Sequence, residues 1–166
     1  MVAAEEFEEL YQTSSDRIAA QLYALTGDRH GALDLVQEAF VRTWARWDRI
    51  ASYDDPEAFV RRVAFNLAKS HWRRASKTVL RSSPPERSVA ATDPSLHQDL
   101  VEALKTLSSN ERETVVLHYL AGLSVDEIAA GMKAPRGTVK SWLSRGRSRL
   151  AVRLALDDPE EMTRNG

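Results

Sequence analysis

Residues 122–150 read GLSVDEIAAGMKAPRGTVKSWLSRGRSRL. Ser124-Val-Asp-Glu127 is a capping box, in which a serine side chain and a glutamate three residues later satisfy each other's backbone N–H groups at a helix start. It predicts a short helix carrying Val125, Ile128 and Ala129. A brief turn at Lys133-Ala134-Pro135 and a longer helix from Arg136 to about Leu156 complete a helix-turn-helix. That arrangement places a second helix in the major groove of duplex DNA. At 100° per residue, Val139, Trp142, Leu143, Gly146 and Leu150 share one inward face of the long helix. Gly137, Lys140, Ser141, Ser144, Arg145 and Ser148 share the other. Small residues let a backbone approach base edges, while Lys140 and Arg145 can reach phosphates or guanine acceptors. Arg136 and Thr138 lie at the helix N-terminus, where backbone N–H groups also favour a phosphate. DNA binding is preferred to the alternative of an ordinary amphipathic helix in a bundle.

Upstream of this motif, Ser108-Ser109-Asn110-Glu111 fits a second capping box, opening a helix that ends near Gly122. Before it, Leu96, Leu100, Leu104 and Leu107 mark a helix over about 95–107. Residues 78–94 hold three Pro and a cluster of Ser with little apolar spacing, and read as a linker, with an ordered loop as the alternative. Three helices are predicted N-terminal to it. The first spans Ala3 to Leu25, with Phe7, Leu10, Tyr11, Ile18, Leu22 and Leu25 in helical register and Gly27 as a stop. The second runs from about Gly31 to Arg49, with Leu35, Val36, Ala39, Phe40, Trp44 and Trp47 as its apolar face. The third opens at Asp55-Pro56-Glu57, an N-cap acid, a first-turn proline and a carboxylate at the positive helix end, and continues to about Lys77. The expected fold is all-α: an N-terminal helical bundle (1–77), a flexible linker (78–94), a C-terminal four-helix domain with the helix-turn-helix (95–157) and a tail (158–166).

Charge is segregated along the chain. The 166 residues carry 23 Lys+Arg and 24 Asp+Glu, a net charge of −1, which excludes a uniformly basic nucleic-acid binder. Yet Arg61, Arg62, Lys69, Arg73, Arg74, Lys77, Arg81 and Arg87 face one acid, Glu86, across 61–87, and the stretch 133–153 is basic without any acid. Polyanion binding is therefore expected at two separate patches. On the third helix, Arg62, Asn66, Lys69, Ser70, Arg73 and Lys77 form one stripe, with Phe65 and Trp72 beside it. Basic residues beside aromatics suit single-stranded or partly melted DNA, although Phe65 and Trp72 read more readily as core than as base platforms. The loop 48–55, with Tyr53, could accept an extruded base. Asp34, Gln37, Glu38 and Arg42 form a polar ridge on the second helix that by spacing alone reads as a solvated face.

Other classes are disfavoured. Cys is absent, the four His are scattered, and neither a P-loop nor a G-x-S-x-G elbow occurs, so an enzyme, a metal site and a cofactor are not expected. No apolar run reaches the ~18–20 residues of a membrane span. The acidic start lacks the basic-then-apolar pattern of a secretory signal, so a cytoplasmic protein is expected. The rival reading is a stand-alone dimeric helix-turn-helix regulator.

Asp34-Leu-Val-Gln-Glu-Ala-Phe40, the run from Pro56 through Asn66-Leu-Ala, and Trp72-Arg-Arg74 resemble region 2 of extracytoplasmic-function sigma factors, bacterial RNA polymerase subunits that specify promoters. The run from Leu107 to Leu117, then Gly122–Ala129 and Gly137–Leu150, resembles their region 4. Thr26-Gly-Asp-Arg-His30 and Asn66-Leu-Ala-Lys-Ser70 are similar to a subset common in actinobacteria. The resemblance implies docking on the β′ clamp helices of core RNA polymerase through Asp34, Gln37 and Glu38, with Phe40 supporting. It implies engagement of the −10 element of promoter DNA by Tyr53, Arg62, Asn66, Lys69, Ser70, Arg73 and Arg74. It implies readout of the −35 element by Arg136, Thr138, Lys140, Ser141, Ser144, Arg145 and Ser148, contact of the last helices with the β flap, and an anti-sigma factor as a further partner. Two residues depart from the family pattern: Ser70 stands where many members have Asp, and Lys133 where many have Gly in the turn.

Overall fold

The computed structural model describes residues 2–77 and 94–157; of the predicted linker, residues 78–93 lie outside the described residues, as does the tail 158–166. The chain divides into two compact units, Met1–Ser88 and Val89–Gly166. All regular structure among the described residues is helical.

The first unit holds α1 (Val2–Thr26), α2 (Arg29–Trp44), the short α3 (Trp47–Ile50) and α4 (Pro56–Lys77). Gly27 ends α1 with φ +72°, a left-handed conformation that a Cβ disfavours. Asp28 caps α2, its Oδ1 accepting from the Gly31 N–H at 3.0 Å. Asp55 caps α4 in the same way through the Ala58 N–H at 3.0 Å. The core is built from Ile18, Leu22, Val36, Phe40, Ile50, Val60, Ala64 and Phe65. Burial of these side chains is the main favourable term, roughly 1.5–3 kcal/mol for each large one. Arg17 reaches from α1 to Glu57 on α4 in a forked pair at 2.9 and 2.7 Å, which raises the Arg17 pKa above its ordinary value.

The second helix is shorter than its sequence pattern predicts. It stops at Trp44, Arg46 leaves helical geometry (φ −125°, ψ 17°), and α3 begins at Trp47. Periodicity cannot register this break, because Phe40, Thr43, Trp47 and Ile50 keep helical spacing through it and all are buried. Trp44, predicted on the apolar face, is half exposed at the edge of the buried stripe, its ring 4.9 Å from Phe7. Phe7 also meets Phe40 and Trp47 at 5.9 and 5.2 Å, which ties the start of α1 to α2 and α3.

The second unit holds α5 (Pro94–Lys105), α6 (Ser109–Val115), which runs on as one π-helical turn Val116–Leu120, α7 (Val125–Met132) and α8 (Arg136–Asp157). Both capping boxes form, Ser108 with Glu111 and Ser124 with Glu127. Glu111 does more than cap. Its side chain is only 4 % exposed and accepts from Arg149 of α8 at 3.1 Å. Burial also lowers the Arg112 pKa, while its guanidinium donates to the Lys105 and Leu107 carbonyls at 3.4 Å. These buried charges bind the α5–α6 corner to α8.

Two backbone features set the helix-turn-helix. Lys133 caps α7 in the left-handed region (φ 53°, ψ 45°), its N–H donating to Ala129 and Ala130. A Cβ in this region carries strain that the Gly common at this position would avoid. Gly146 lets α8 settle on α6, since a Cβ there would stand 2.7 Å from Val115 Cγ2. Gly146→Val is expected to destabilise the second unit by roughly 1–3 kcal/mol through overpacking. Hydrogen exchange at the α6 and α8 amides reads this loss, and Val115→Ala should recover part of it. Lys133→Gly is expected to stabilise the same unit by up to about 1 kcal/mol, read as slower exchange in α7 and α8.

Candidate nucleic-acid and protein-binding surfaces

Helix α8 divides as its pattern requires. Val139, Leu143 and Gly146 are buried, and Trp142 and Leu150 half-buried. Gly137, Lys140, Ser141, Ser144, Arg145 and Ser148 are all exposed, as is Arg136, while Thr138 is half-buried. Ser148 Oγ donates to the Ser144 carbonyl at 3.0 Å and Arg145 Nε to the Ser141 carbonyl at 3.4 Å. Among the described residues no carboxylate is ion-paired with Lys140 or Arg145, and both are exposed. Arg136 differs, because its Nε lies 3.2 Å from Asp126 Oδ1 on α7.

On α4, Arg62, Asn66 and Ser70 are exposed and Lys69 is half-buried. Arg73 and Arg74 continue the helix, but their side chains, like that of Trp72, lie outside the described residues. Phe65 is 4 % exposed and belongs to the core, so it offers no platform for a base. Another ring takes that position. Phe59 lies on the same side of α4 as Asn66 and Ser70, by helical spacing, and Tyr53 of the preceding loop meets it edge-on at 6.0 Å. Phe59 and Val63 join Arg42, Ala45 and Arg46 in lining an open hollow of about 350 Å³. Sequence reasoning missed this hollow because its wall comes from the turn after α2, which was predicted as continuous helix.

On α2, Asp34, Gln37 and Glu38 are exposed, whereas Phe40 is buried and can only support them from beneath. Arg42 pairs with Glu38 at 2.7 Å. Leu33, Val41 and Trp44 stand exposed among these polar groups. Their spacing with Gln37 (33, 37, 41, 44) was visible in the sequence, and it turns the ridge into a mixed apolar and acidic face of the kind that docks on protein.

Among the described residues no group of His, Cys, Asp and Glu could hold a metal ion, and no helix is long and apolar enough to cross a membrane. The family described as Sigma-70 region 2 matches residues 10–78, and that described as Sigma-70, region 4 matches residues 97–150. The chain is 38% identical over 159 residues to an RNA polymerase sigma-E factor of Streptomyces avermitilis, covering 92% of this chain and 87% of the relative. It is 32% identical over 170 residues to an ECF RNA polymerase sigma factor of Mycolicibacterium smegmatis, covering 95% of this chain and 65% of that one. Its fold is similar to that of a Bartonella quintana sigma factor solved in complex with an anti-sigma factor, with TM-score 0.78 and 26% identity, covering 93% of this chain and 99% of that one.

Proposed function

Because the chain belongs to the sigma-70 family of RNA polymerase sigma factors, we propose that its two units share promoter recognition, the first gripping core polymerase and melted DNA, the second reading intact duplex. The protein is an RNA polymerase sigma factor: it binds core RNA polymerase and promoter DNA and directs transcription initiation. Catalysis then belongs to the polymerase, the chain itself is not an enzyme, and it acts in the cytoplasm. The observation that carries this reading is the presence, in order along one chain, of both sigma regions, with Arg62 exposed on α4 and Lys140 and Arg145 exposed on α8. A stand-alone regulator would account for the helix-turn-helix alone.

In the second unit, Arg136, Thr138, Lys140, Ser141, Ser144, Arg145 and Ser148 enter the major groove at the −35 element. Lys140 and Arg145 supply charge, and the serines allow close approach. In the first unit, the mixed ridge of Asp34, Gln37 and Glu38, with Leu33, Val41 and Trp44, docks on the β′ clamp helices. Tyr53, Arg62, Asn66, Lys69, Ser70, Arg73 and Arg74 track the opened −10 strand. The hollow beside them has an aromatic wall and two guanidinium groups, a combination that suits an unstacked base and its phosphate. An anti-sigma factor, the partner seen on the Bartonella relative, would compete for the same docking surfaces.

Each unit makes few phosphate contacts, so each binds DNA weakly and with strong salt dependence. Core polymerase holds both units on one promoter and raises their effective concentration. The reading is tested by reconstituting holoenzyme and following core binding and transcription from a promoter selected out of a randomised library. Lys140→Ala and Arg145→Ala are expected to lose −35 recognition with core affinity intact. Asp34→Ala with Glu38→Ala should lose core affinity first. Failure of the wild-type chain to associate with core polymerase overturns the proposal. Arg46→Ala is expected to slow promoter opening severalfold, read by permanganate reactivity of unpaired thymines, without weakening binding to a −35 duplex.

A further inference from the structure

We propose that Asp126 is a positioning residue of the recognition helix, which holds the Arg136 guanidinium by its Nε edge and leaves the Nη edge aimed at a guanine in the −35 duplex. The proposal rests on the reading of α8 as the −35 helix. Arg136 is the first residue of α8 and Asp126 the second of α7, and the turn brings Arg136 Nε to 3.2 Å from Asp126 Oδ1. A guanidinium is a planar fork with more than one donor edge. An acceptor on Nε stops the fork from rotating while the Nη pair stays free for the bidentate contact to O6 and N7 that distinguishes guanine.

A role in stability does not account for the pair. The side chains of Arg136 and Asp126 are 62% and 72% exposed, and an ion pair so exposed adds little to stability. The neighbouring carboxylate, Glu127, is already engaged by the Ser124 N–H in the capping box, so Asp126 is not needed to close the helix end. A carboxylate beside the DNA-reading face also repels phosphates, so it opposes non-specific binding while it orients one specific donor. The left-handed Lys133 and the N–H groups of Thr138 and Val139 on the Pro135 carbonyl, at 3.0 and 3.1 Å, hold the turn that sets the Asp126–Arg136 spacing.

The test uses holoenzyme reconstituted with the full-length chain, its selected promoter, and the same promoter with each −35 base pair changed in turn. Asp126→Ala is expected to lower discrimination at one G·C pair about tenfold, while affinity for non-cognate duplex holds or rises. Asp126→Glu should restore part of the discrimination. In an Arg136→Ala background, Asp126→Ala should change that ratio no further. If Lys140→Ala leaves −35 discrimination intact, the reading of α8 itself fails. If Lys140→Ala loses discrimination but Asp126→Ala keeps it, or tightens all duplexes by one common factor, the positioning role alone is overturned. Unchanged thermal melting of Asp126→Ala separates either outcome from misfolding.

Discussion

The close seating of α8 on α6 governs the second unit. Gly146 has no Cβ, and its place against Val115 lets two helix backbones approach more nearly than any larger residue would allow. Arg149 then reaches the buried Glu111 carboxylate one turn further along. Together these contacts fix the rotation of α8 about its own axis. With Val139, Leu143 and Gly146 turned inward, Lys140, Ser144 and Arg145 are turned outward by the 100° step of the helix. The exposed face of Lys140, Ser144 and Arg145 is therefore a consequence of core packing on its opposite side.

An equivalent constraint acts in the first unit. Phe7 anchors α1 against Phe40, Trp44 and Trp47, and the forked Arg17–Glu57 pair joins the same helix to the start of α4. These contacts leave α4 with Val60, Ala64 and Phe65 in the core and Arg62, Asn66 and Ser70 exposed. The turn between α2 and α3 sets Ala45 and Arg46 against Phe59 and Val63, which makes a hollow beside the stripe where a continuous helix was expected.

The near-neutral total charge conceals how function is distributed. Positive charge is gathered along the sequences of α4 and α8, with Arg62, Lys140 and Arg145 exposed, and Asp34 and Glu38 stand on the exposed ridge of α2. In the proposed function, polyanion-binding and protein-docking surfaces are thereby separated on the same small chain. Sigma factors require both kinds of contact, and their separation keeps each surface from masking the other.

Local chemistry made much of this legible beforehand. The Asp55 cap, the two capping boxes, Gly27 and the inward and outward faces of α8 depend on residues within a few positions of one another, and single-chain reading suffices for such interactions. Burial of Glu111 and Arg112, the break after Trp44 and the hollow at Phe59 were not legible in that way. Each depends on a partner distant in sequence: Arg149 for Glu111, or α4 packing beside the end of α2. So the sequence alone determined the helices, their caps and the helix-turn-helix, because those rest on short-range hydrogen bonds and periodic burial. Tertiary structure alone decided which charges are buried, where α2 ends and which aromatic ring lines the hollow, because those follow from the space that neighbouring helices leave.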